Sequence, residues 1–457
     1  MTAAAMKRSL KDAAQAVGGR LIGEDRPYGA VATDSRTLNP GSLFVALRGP
    51  NFDGAQFAAA AAARGAVGAL VERQVDAPLA QVVVGDALRA LQTLAAAWRA
   101  QFALAMVAVA GSNGKTTAKE MTAAILSRMG AVMATHGNLN NHIGVPVTLM
   151  RLEHSHRSAV VEMGANRVGD VAELMRIAQP TIGLVTNAGA EHLEGFGDLD
   201  GVAEGEGEAL SHLPAGGTAI INADDAYAGY WRGVTTAHRV VTFGVNTRAD
   251  FTAEHARQAV ERGEFATRFT LASPLGSSPI LLKTGGAHNI VNALAAAAAA
   301  AAAGASLAEI AAGLADFRPV AGRLQLKAGV NDSWIIDDSY NANPSSVRAG
   351  LEVLRAMTSV KWLVLGDMAE LGESSHDSHA HIGSYARDCG VTRLFAHGPL
   401  SSRAVETFGA GGEWFADTDS LARRLKAEIA PGVTVLVKGS RINRLERVVQ
   451  QITCGAS

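Results

Sequence analysis

The sequence contains little cysteine: Cys389 and Cys454 are the only two among 457 residues. This spacing excludes a disulfide framework and a cysteine-ligated metal site, and it is typical of a reducing compartment. No stretch offers about 18 unbroken apolar residues without a charge, which excludes a transmembrane helix. Residues 1–19 lack an apolar core before a cleavage site. We therefore expect no secretion signal and a soluble, cytoplasmic protein.

An excess of one charge sign is also missing, because 41 lysine and arginine residues stand against 43 aspartate and glutamate residues. The near-neutral balance excludes a basic nucleic-acid-binding surface and a polybasic membrane-binding patch. We therefore expect small-molecule partners, no nucleic acid and no membrane insertion. A monomer is the working expectation, although no sequence feature decides the oligomeric state.

The chain of 457 residues is too long to form one ordinary hydrophobic core, so we expect about three domains. Apolar runs alternate with helical patterns throughout, which predicts an α/β fold. Residues 1–103 form the predicted small N-terminal α/β domain, residues 104–317 a central domain with a mostly parallel sheet, and residues 318–457 a dinucleotide-fold-like domain. The predicted strands lie in 43–49, 67–72, 81–86, 105–111, 158–164, 181–189, 216–225, 333–339, 361–367, 392–398 and 433–440. The alanines at 295–303 are expected to continue a tightly packed helix that starts near Ala287.

The stretch 107-VAVAGSNGKTTAKEM-121 is similar to a phosphate-binding loop, although Val109 replaces the first glycine of the usual pattern. A strand ending at Ala110 and a helix starting near Lys115 would place the N–H groups of Gly111 to Thr116 around an anion. Lys115 would then contact the outer phosphates, and the hydroxyl of Thr116 would bind Mg²⁺. The alternative is a tight turn with a solvated lysine.

Two further candidates follow apolar strands of the same predicted sheet. Glu162 in AVVEMGAN is a plausible Mg²⁺ ligand, because strand ends of an open sheet face the ligand-binding edge. Its alternative is a carboxylate that caps the next helix. His192 is the second candidate ligand. Its alternative is an exposed polar residue, which is what a loop histidine more often is. The acidic run 204-EGEGE-208 is typical of a solvated helix face.

Nine short motifs together resemble the Mur ligases of bacterial cell-wall synthesis over nearly the whole chain. They are, in order, G-S-N-G-K-T-T, 137-GNLNNHIGVP-146, V-E-M-G, N-A-G-x-x-H-L, 288-HNIVNALAA-296, G-R at 322–323, 336-IDDSYNANPSS-346, 366-GDMAELG-372 and 437-VKGSR-441. The shortened phosphate loop is this family's own form, which accounts for Val109. D-S-Y-N-A-N-P and G-D-M-x-E-L-G resemble the members that add a dipeptide, and the D-N-P-R motif of the diaminopimelate-adding members is absent.

The resemblance implies a central ATPase domain between a domain that holds a uridine nucleotide and a C-terminal domain. It implies an ADP-forming ligase with ATP and Mg²⁺ as cofactors, and UDP-N-acetylmuramoyl-tripeptide and D-alanyl-D-alanine as substrates, joined through an acyl phosphate. The third tripeptide residue, diaminopimelate or lysine, stays open. A related ligase such as folylpolyglutamate synthase, another Mur ligase, or a nucleotide-gated regulatory module remain alternatives.

The resemblance also assigns roles to individual residues. The phosphate loop comprises Gly111, Ser112, Asn113, Gly114, Lys115, Thr116 and Thr117, with Glu162 and His192 serving phosphates and metal. Asn289 is placed near the adenine, and Arg323 and Asp338 reach ATP from the domain junction. The substrate residues are Thr33, Asp34, Ser35 and Arg36 for the uridine nucleotide, Asn138 and Asn141 for the muramoyl side, and Tyr340, Asn341, Asn343 and Pro344 for the dipeptide.

Two of these assignments have structural alternatives. Asp34 and Ser35 could merely form a turn. Asn289 could simply cap its helix. Where related sequences carry the histidine of D-G-H-x-F, this chain has Ala55.

Glu206 occupies a position where most family members resemble G-V-A-x-A-K-G-E-I and the lysine is expected to carry a carbamate formed from CO₂. The chain already has a carboxylate there. We predict that Glu206 serves a second Mg²⁺ without modification, although its carboxylate falls roughly 3–4 Å short of the carbamate, at about 1.3 Å per bond. The alternative is that Glu206 lies on a solvated helix face and another residue fills the role.

Overall fold

The computed structural model describes residues 8–454 and contains three main sheets in chain order. Residues 1–7, on which part of the expectation about a secretion signal rests, lie outside the described residues. Among residues 8–454, none of the helices has the length and apolar character needed to cross a bilayer. The three sheets fall within the three predicted segments, whose boundaries at 103/104 and 317/318 stay predictions.

The N-terminal unit is a five-stranded sheet of order β1-β7-β6-β3-β2, parallel except for β1, with a separate β4–β5 pair. Its helix α3 packs against α5, Gly144–Leu149, and α6, Asp170–Ala178, of the central unit, so the two units share one core. The elements are α1 Leu10–Val17, β1 Arg20–Ile22, β2 Ala30–Ala32, β3 Ser42–Val45, β4 Arg48–Gly49, β5 Phe52–Asp53, α2 Ala58–Ala63, β6 Gly68–Val71, β7 Ala80–Val83 and α3 Ala87–Arg99.

The central unit is built on a six-stranded sheet of order β13-β12-β11-β8-β10-β9, in which every pair is parallel. Strand β8 is almost entirely buried, as expected for an apolar strand covered on both faces. This confirms the predicted parallel sheet. The elements are β8 Ala105–Ala110, α4 Lys115–Leu126, β9 Val132–Ala134, α5 Gly144–Leu149, β10 Ser158–Glu162, α6 Asp170–Ala178, β11 Ile182–Val185, α7 Leu193–Phe196, α8 Leu199–Ser211, β12 Thr218–Asn222, α9 Ala228–Val234 and β13 Arg239–Phe243.

The same unit continues with an antiparallel sheet, β14-β15-β16, that the sequence did not predict. Most of β14 is exposed, so its residues lack the apolar alternation by which strands are recognised. Two helices follow, and α10 packs on α4 behind the phosphate loop. Residues 293–300 of α10 are fully buried, which confirms tight helix packing of the alanine run. The elements are β14 Thr252–Glu261, β15 Glu264–Ser273, β16 Gly276–Leu282, α10 Ala287–Ala302 and α11 Leu307–Asp316.

The C-terminal unit has a six-stranded sheet of order β17-β18-β22-β19-β20-β21, parallel except for the edge strand β17. The predicted β/α alternation is confirmed. The elements are β17 Gln325–Ala328, β18 Trp334–Asp338, α12 Pro344–Arg355, β19 Val360–Gly366, α13 Ser375–Asp388, β20 Val391–His397, α14 Ser402–Phe408, β21 Gly412–Phe415, α15 Thr418–Glu428, β22 Val433–Lys438 and α16 Glu446–Ile452.

Candidate active site

A cavity of 680 Å³ is lined by residues of both the central and the C-terminal units. This volume lies within the range of about 300–1,000 Å³ that is typical of small-molecule sites. The predicted residues that line it are Ser112, Asn113, Gly114, Lys115, Thr116, Thr117, Asn141, Glu162, His192, Asn289, Arg323, Asp338, Tyr340, Asn341 and Asn343. The predicted residues outside its lining are Gly111, Glu206, Asn138, Pro344, Thr33, Asp34, Ser35 and Arg36.

The phosphate loop joins β8 to α4, and the predicted end at Ala110 and start at Lys115 are both confirmed. Fewer loop N–H groups are available to bind an anion than predicted, because three of them already donate hydrogen bonds within the protein. Those of Ser112 and Asn113 donate to the carbonyl and side-chain oxygens of Asn187, at 2.9 and 3.0 Å. That of Gly111 donates to Glu206. The amides of residues 114–116, at the N-terminus of α4, remain as the candidate anion donors.

Gly114 lies in the left-handed region, with φ +83°, and packs against the side chain of Asn292. We predict that Gly114→Ala lowers the free energy of unfolding by about 1–2 kcal/mol from backbone strain alone. The added Cβ also collides with Asn292 Oδ1, so ADP affinity falls too. Denaturant unfolding and calorimetric titration with ADP measure both effects.

The matched control is Gly29→Ala. Gly29 is exposed, has no positive φ, and a Cβ there meets no atom within 4 Å. Equal unfolding energies for the two variants would contradict the prediction.

Lys115 lies among carboxylates rather than in solvent, which excludes the turn with a solvated lysine. Its Nζ donates to the carbonyls of Gly111 and Ser112, and it pairs with Glu191 Oε1 at 3.2 Å. Burial lowers the pKa of Lys115, but the charges of Glu191, Glu206 and Glu162 outweigh burial and leave that pKa above its ordinary value. The ammonium group is therefore positively charged at neutral pH.

Glu206 is fully buried beneath the loop, which rules out the solvated-face alternative; within 204–208 only Glu204 is exposed among the acidic residues. Glu206 Oε2 accepts the Gly111 N–H at 2.5 Å, and Oε1 lies 3.9 Å from Lys115 Nζ without a hydrogen-bond partner. Burial raises the pKa of Glu206 to about 7, with Lys115 opposing this shift and Glu191 adding to it.

Glu206 lies outside the cavity lining, with one carboxylate oxygen bonded to the loop backbone and the other beside Lys115. Coordination of a cation by Glu206 stays a prediction.

Glu162 ends β10 inside the cavity and is 3% exposed. Its Oε1 accepts from Asn140 Nδ2 at 2.9 Å, whereas Oε2 is buried without a partner. Hence Glu162 does not cap the next helix, whose N-cap is Gly169.

The neighbourhood of Glu162 fits Mg²⁺. Three carboxylates surround the single ammonium group of Lys115, two of their buried oxygens lack partners, and Thr116 adds a hydroxyl. Within residues 8–454, no group of three His, Cys, Asp or Glu side chains is arranged to hold a metal alone. This agrees with the usual Mg²⁺ site, in which one or two carboxylates act together with substrate phosphates and water.

His192 lines the cavity with a left-handed backbone, φ +48°. Its Nδ1 lies 2.6 Å from Glu370 Oε2, which belongs to the G-D-M-A-E-L-G motif of the C-terminal unit. His192 therefore bridges the two units in this structure. A role toward phosphate or metal stays a prediction.

Asn289 lies in the first turn of α10, but it is not the helix cap, which is Gly286. Its Nδ2 donates to Thr284 Oγ1 at 3.0 Å and to the Gly285 carbonyl at 2.7 Å, and its Oδ1 accepts from Asn292. These bonds tie the preceding turn to the helix and occupy most of the amide. A contact with adenine stays a prediction.

Arg323 and Asp338 reach the cavity from the C-terminal unit. The Arg323 guanidinium lies over the Tyr340 ring, 4.4 Å from its centroid. Asp338 accepts the Leu324 N–H at 3.1 Å and pairs with Lys438 at 2.6 Å. Both residues line the cavity at the junction of the two units, as predicted. Their contact with ATP stays a prediction.

The dipeptide candidates form the turn between β18 and α12. Asn343 caps α12 in a capping box with Ser346, and Pro344 is the first residue of that helix. Asn343 also donates through Nδ2 to Asn113 Oδ1 of the phosphate loop at 2.9 Å. Pro344 thus shapes the turn without lining the cavity.

Asn138 and Asn141 are the two asparagines predicted for the muramoyl side. Asn141 lines the cavity and accepts the Ile143 and Gly144 N–H groups at the start of α5, whereas Asn138 does not line it. Asn140, which donates to Glu162, also lines the cavity. Contact of Asn138 or Asn141 with the muramoyl group stays a prediction.

The residues from Thr33 to Arg36 follow β2 in the N-terminal unit. Asp34 accepts the Arg36 backbone N–H and pairs with the Arg36 guanidinium at 2.8 Å. The side-chain hydrogen bond from Arg36, together with the backbone one, lowers the pKa of Asp34 to about 2. The geometry is a local turn, as the alternative reading of the sequence expected. Binding of a uridine nucleotide there stays a prediction. Ala55 is buried in a short 3₁₀ helix, Gly54–Phe57, of the same unit.

Sequence reasoning missed several cavity residues: Asn140, Asn187, Glu191, His288, Asn292, Ser345, Ser346 and Lys438. Glu191 precedes His192 inside N-A-G-x-x-H-L, and Lys438 lies in V-K-G-S-R, so both motifs carried a usable signal. His288 is held neutral by burial, which lowers its pKa, while Asp338 raises it and Lys438 lowers it.

Three family models match the chain in order. They are "Mur ligase family, catalytic domain" at residues 27–103, "Mur ligase middle domain" at 109–300 and "Mur ligase, glutamate ligase domain" at 322–441.

Named relatives and solved structures agree with these models. The UDP-N-acetylmuramoyl-tripeptide--D-alanyl-D-alanine ligase of Escherichia coli (strain K12) is 44% identical, with 95% of this chain and 96% of that protein covered. The protein of the same name from Bacillus subtilis (strain 168) is 33% identical over 98% of each chain. MurF from Acinetobacter baumannii superposes with a TM-score of 0.89 at 33% identity, covering 97% of this chain and 98% of that one. MurF from Thermotoga maritima in complex with ADP has a TM-score of 0.81 at 26% identity, covering 92% and 96%.

Proposed function

The chain belongs to the Mur ligase family, and we propose that it joins D-alanyl-D-alanine to UDP-N-acetylmuramoyl-tripeptide in peptidoglycan precursor synthesis. The reaction converts ATP to ADP and phosphate. The observation that carries the proposal is one cavity whose wall combines the phosphate loop of the central unit with the turn at residues 340–343 of the C-terminal unit. Phosphoryl transfer and amide formation would thereby share a single cavity.

The chemistry explains why both walls are needed. A carboxylate is a poor electrophile at neutral pH, so a terminal carboxylate oxygen of the tripeptide attacks the γ-phosphorus of ATP. The bond from that phosphorus to the bridging oxygen breaks, and ADP leaves with the electron pair. The neutral amine of the dipeptide then attacks the acyl carbon, loses a proton, and phosphate leaves.

Lys115 and the loop amides hold negative charge during the first step. Lys115 keeps its proton because Glu191 and Glu206 surround it, and its Nζ is fixed at the cavity wall by the Gly111 and Ser112 carbonyls. Groups fixed before the reaction need no reorganisation when charge develops. Thr116 and Glu162 would hold Mg²⁺, which offsets charge on the β- and γ-phosphates when bound.

Water has to be kept from the acyl phosphate, because hydrolysis would waste it. Contacts from the C-terminal unit to the loop cover the cavity: Asn343 and Ser345 bond to Asn113, and Glu370 pairs with His192. Closure of this unit over bound ATP is therefore part of the proposal.

We also propose a cytoplasmic, monomeric enzyme, since ATP and nucleotide-linked precursors are cytoplasmic substrates and the cavity is completed within one chain. Sedimentation equilibrium of the purified protein at micromolar concentration tests the monomer directly. A measured mass that corresponds to a dimer would contradict the proposed monomer.

We predict that ADP and phosphate are released slowly by the protein with ATP alone and rapidly when UDP-N-acetylmuramoyl-tripeptide and D-alanyl-D-alanine are both present. The reason is that the γ-phosphoryl group moves only to a positioned carboxylate. A coupled ADP assay with diaminopimelate-containing and lysine-containing tripeptides measures the rate and identifies the third residue.

Three results would contradict this prediction. AMP and pyrophosphate as products would indicate an adenylate route. Turnover with single amino acids in place of the dipeptide would favour folylpolyglutamate synthase or another Mur ligase. ADP release that ignores both substrates would favour a nucleotide-gated module.

A further inference from the structure

The side chain of Asn113 connects the phosphate loop to the start of helix α12. Its Oδ1 accepts from Asn343 Nδ2 at 2.9 Å, and its Nδ2 donates to Ser345 Oγ at 3.0 Å. Ser345 Oγ in turn donates to Asn343 Oδ1 at 3.0 Å, which closes a ring of three hydrogen bonds. Asn113 and Asn343 are 230 residues apart in the chain.

Each end of the ring is held firmly by its own unit. The Asn113 carbonyl accepts from Thr186 Oγ1 at 2.7 Å and from Asn187 Nδ2 at 2.9 Å, so the loop conformation does not depend on the Asn113 side chain. On the other side, Asn343 is the N-cap of α12 and bonds to Ser346. A shift of either unit is therefore passed directly to the other.

The ring also joins the two parts of the cavity wall to which the proposed function assigns the two reaction steps. Asn113 is two residues before Lys115, and Asn343 ends the turn that begins at Tyr340 and lines the acceptor side. An asparagine suits this place, because its amide offers one acceptor and two donors without a charge beside the phosphates. Aspartate keeps the acceptor, loses the donor and adds a negative charge.

Resting on the proposed ligase function, we propose that Asn113 is a positioning residue that couples the phosphate loop to the dipeptide side, so that the acyl phosphate meets the amine rather than water. The ring forms only when the C-terminal unit is docked on the loop. Without it, the turn at residues 340–343 is free to move away while the loop still binds ATP and supports phosphoryl transfer.

The expected signature is uncoupling rather than simple loss of rate. In Asn113→Ala, ADP is released in excess over ligated product, and KM for D-alanyl-D-alanine rises about tenfold, as the loss of one or two neutral hydrogen bonds implies. KM for ATP changes much less, because the backbone of Asn113 keeps its own bonds.

The experiment measures ADP and ligated product in the same reaction, using the full-length protein with ATP, the tripeptide substrate and varied dipeptide. Ser345→Ala breaks the same ring from the other side without removing the N-cap, and it carries the test if Asn113→Ala folds poorly. The double variant should be no worse than the worse single variant. Asn246→Ala is the matched control, since Asn246 is exposed and outside the cavity.

The outcomes separate the coupling from the function. If the wild-type protein does not ligate the dipeptide, the proposed function itself fails. If it does, the coupling is overturned by an ADP-to-product ratio of one in both single variants, or by additive effects in the double variant. An excess of ADP with a raised dipeptide KM and non-additive effects supports it.

Discussion

Replacing Lys115 by alanine lowers the rate of substrate-dependent ADP release on the order of 10²–10³-fold, the usual effect of removing one well-placed electrostatic group. The reason is local. Lys115 Nζ is fixed at the cavity wall by two loop carbonyls and by Glu191, so alanine removes the positive charge where the transferred phosphoryl group has to be held. Steady-state ADP release with both substrates present measures the loss.

The fold is expected to survive this change. Removing one partner of a buried ion pair ordinarily costs several kcal/mol, because a charge is left uncompensated. Here the pKa values of Glu191 and Glu206 are already raised by burial, so both can take up protons instead. Circular dichroism and thermal unfolding check this point.

Lys283→Ala is the matched control, because Lys283 is outside the cavity and forms a long ion pair, 4.0 Å, with the exposed Glu264. It should leave ADP release unchanged. A near wild-type rate in Lys115→Ala with native circular dichroism would show that Lys115 does not stabilise charge during phosphoryl transfer.

Changing Glu206 to glutamine is expected to cut activity on the order of 10²-fold and to raise the Mg²⁺ concentration needed for half-maximal rate. Glutamine keeps the shape of the side chain, and its amide oxygen can still accept the Gly111 N–H. Above the Glu206 pKa of about 7, it removes a negative charge 3.9 Å from Lys115, which balances that ammonium group and adds to the field that attracts a cation. Mg²⁺ titrations of the rate measure the shift, and added bicarbonate should rescue nothing, because no lysine is there to be modified.

Glu208→Gln tests whether any buried glutamate of helix α8 would behave in this way. Glu208 is nearly as buried, but it accepts the Gly169 and Ala172 N–H groups at the start of α6, away from the loop. Its replacement should lower stability and leave the Mg²⁺ requirement unchanged. Unchanged kinetics in Glu206→Gln, or wild-type activity that depends on CO₂, would move the role to another residue.

The chain itself determined the features that are local. A run of small apolar residues that breaks into G-S-N-G-K-T-T predicted where β8 ends and α4 begins, because strand, glycine loop and helix start are each encoded within a few residues. The ordered motifs likewise indicated the family and the dipeptide-adding reaction, and eight of the nine motifs supply residues to the cavity lining. Most residues taken from those motifs line the cavity.

Tertiary structure decided which of these groups meet. Lys115 is paired with Glu191, 76 residues away, and Gly111 with Glu206, 95 residues away, because α4, α8 and the strand ends of one sheet converge there. The run 204-EGEGE-208 reads as polar surface, yet one face of its helix packs under the loop and buries Glu206 completely. Asn113 and His192 find their partners in the C-terminal unit, and spacing along the chain does not encode how two separately formed sheets dock. Sequence thus specified the parts of the site, while sheet register and the docking of units placed their charges.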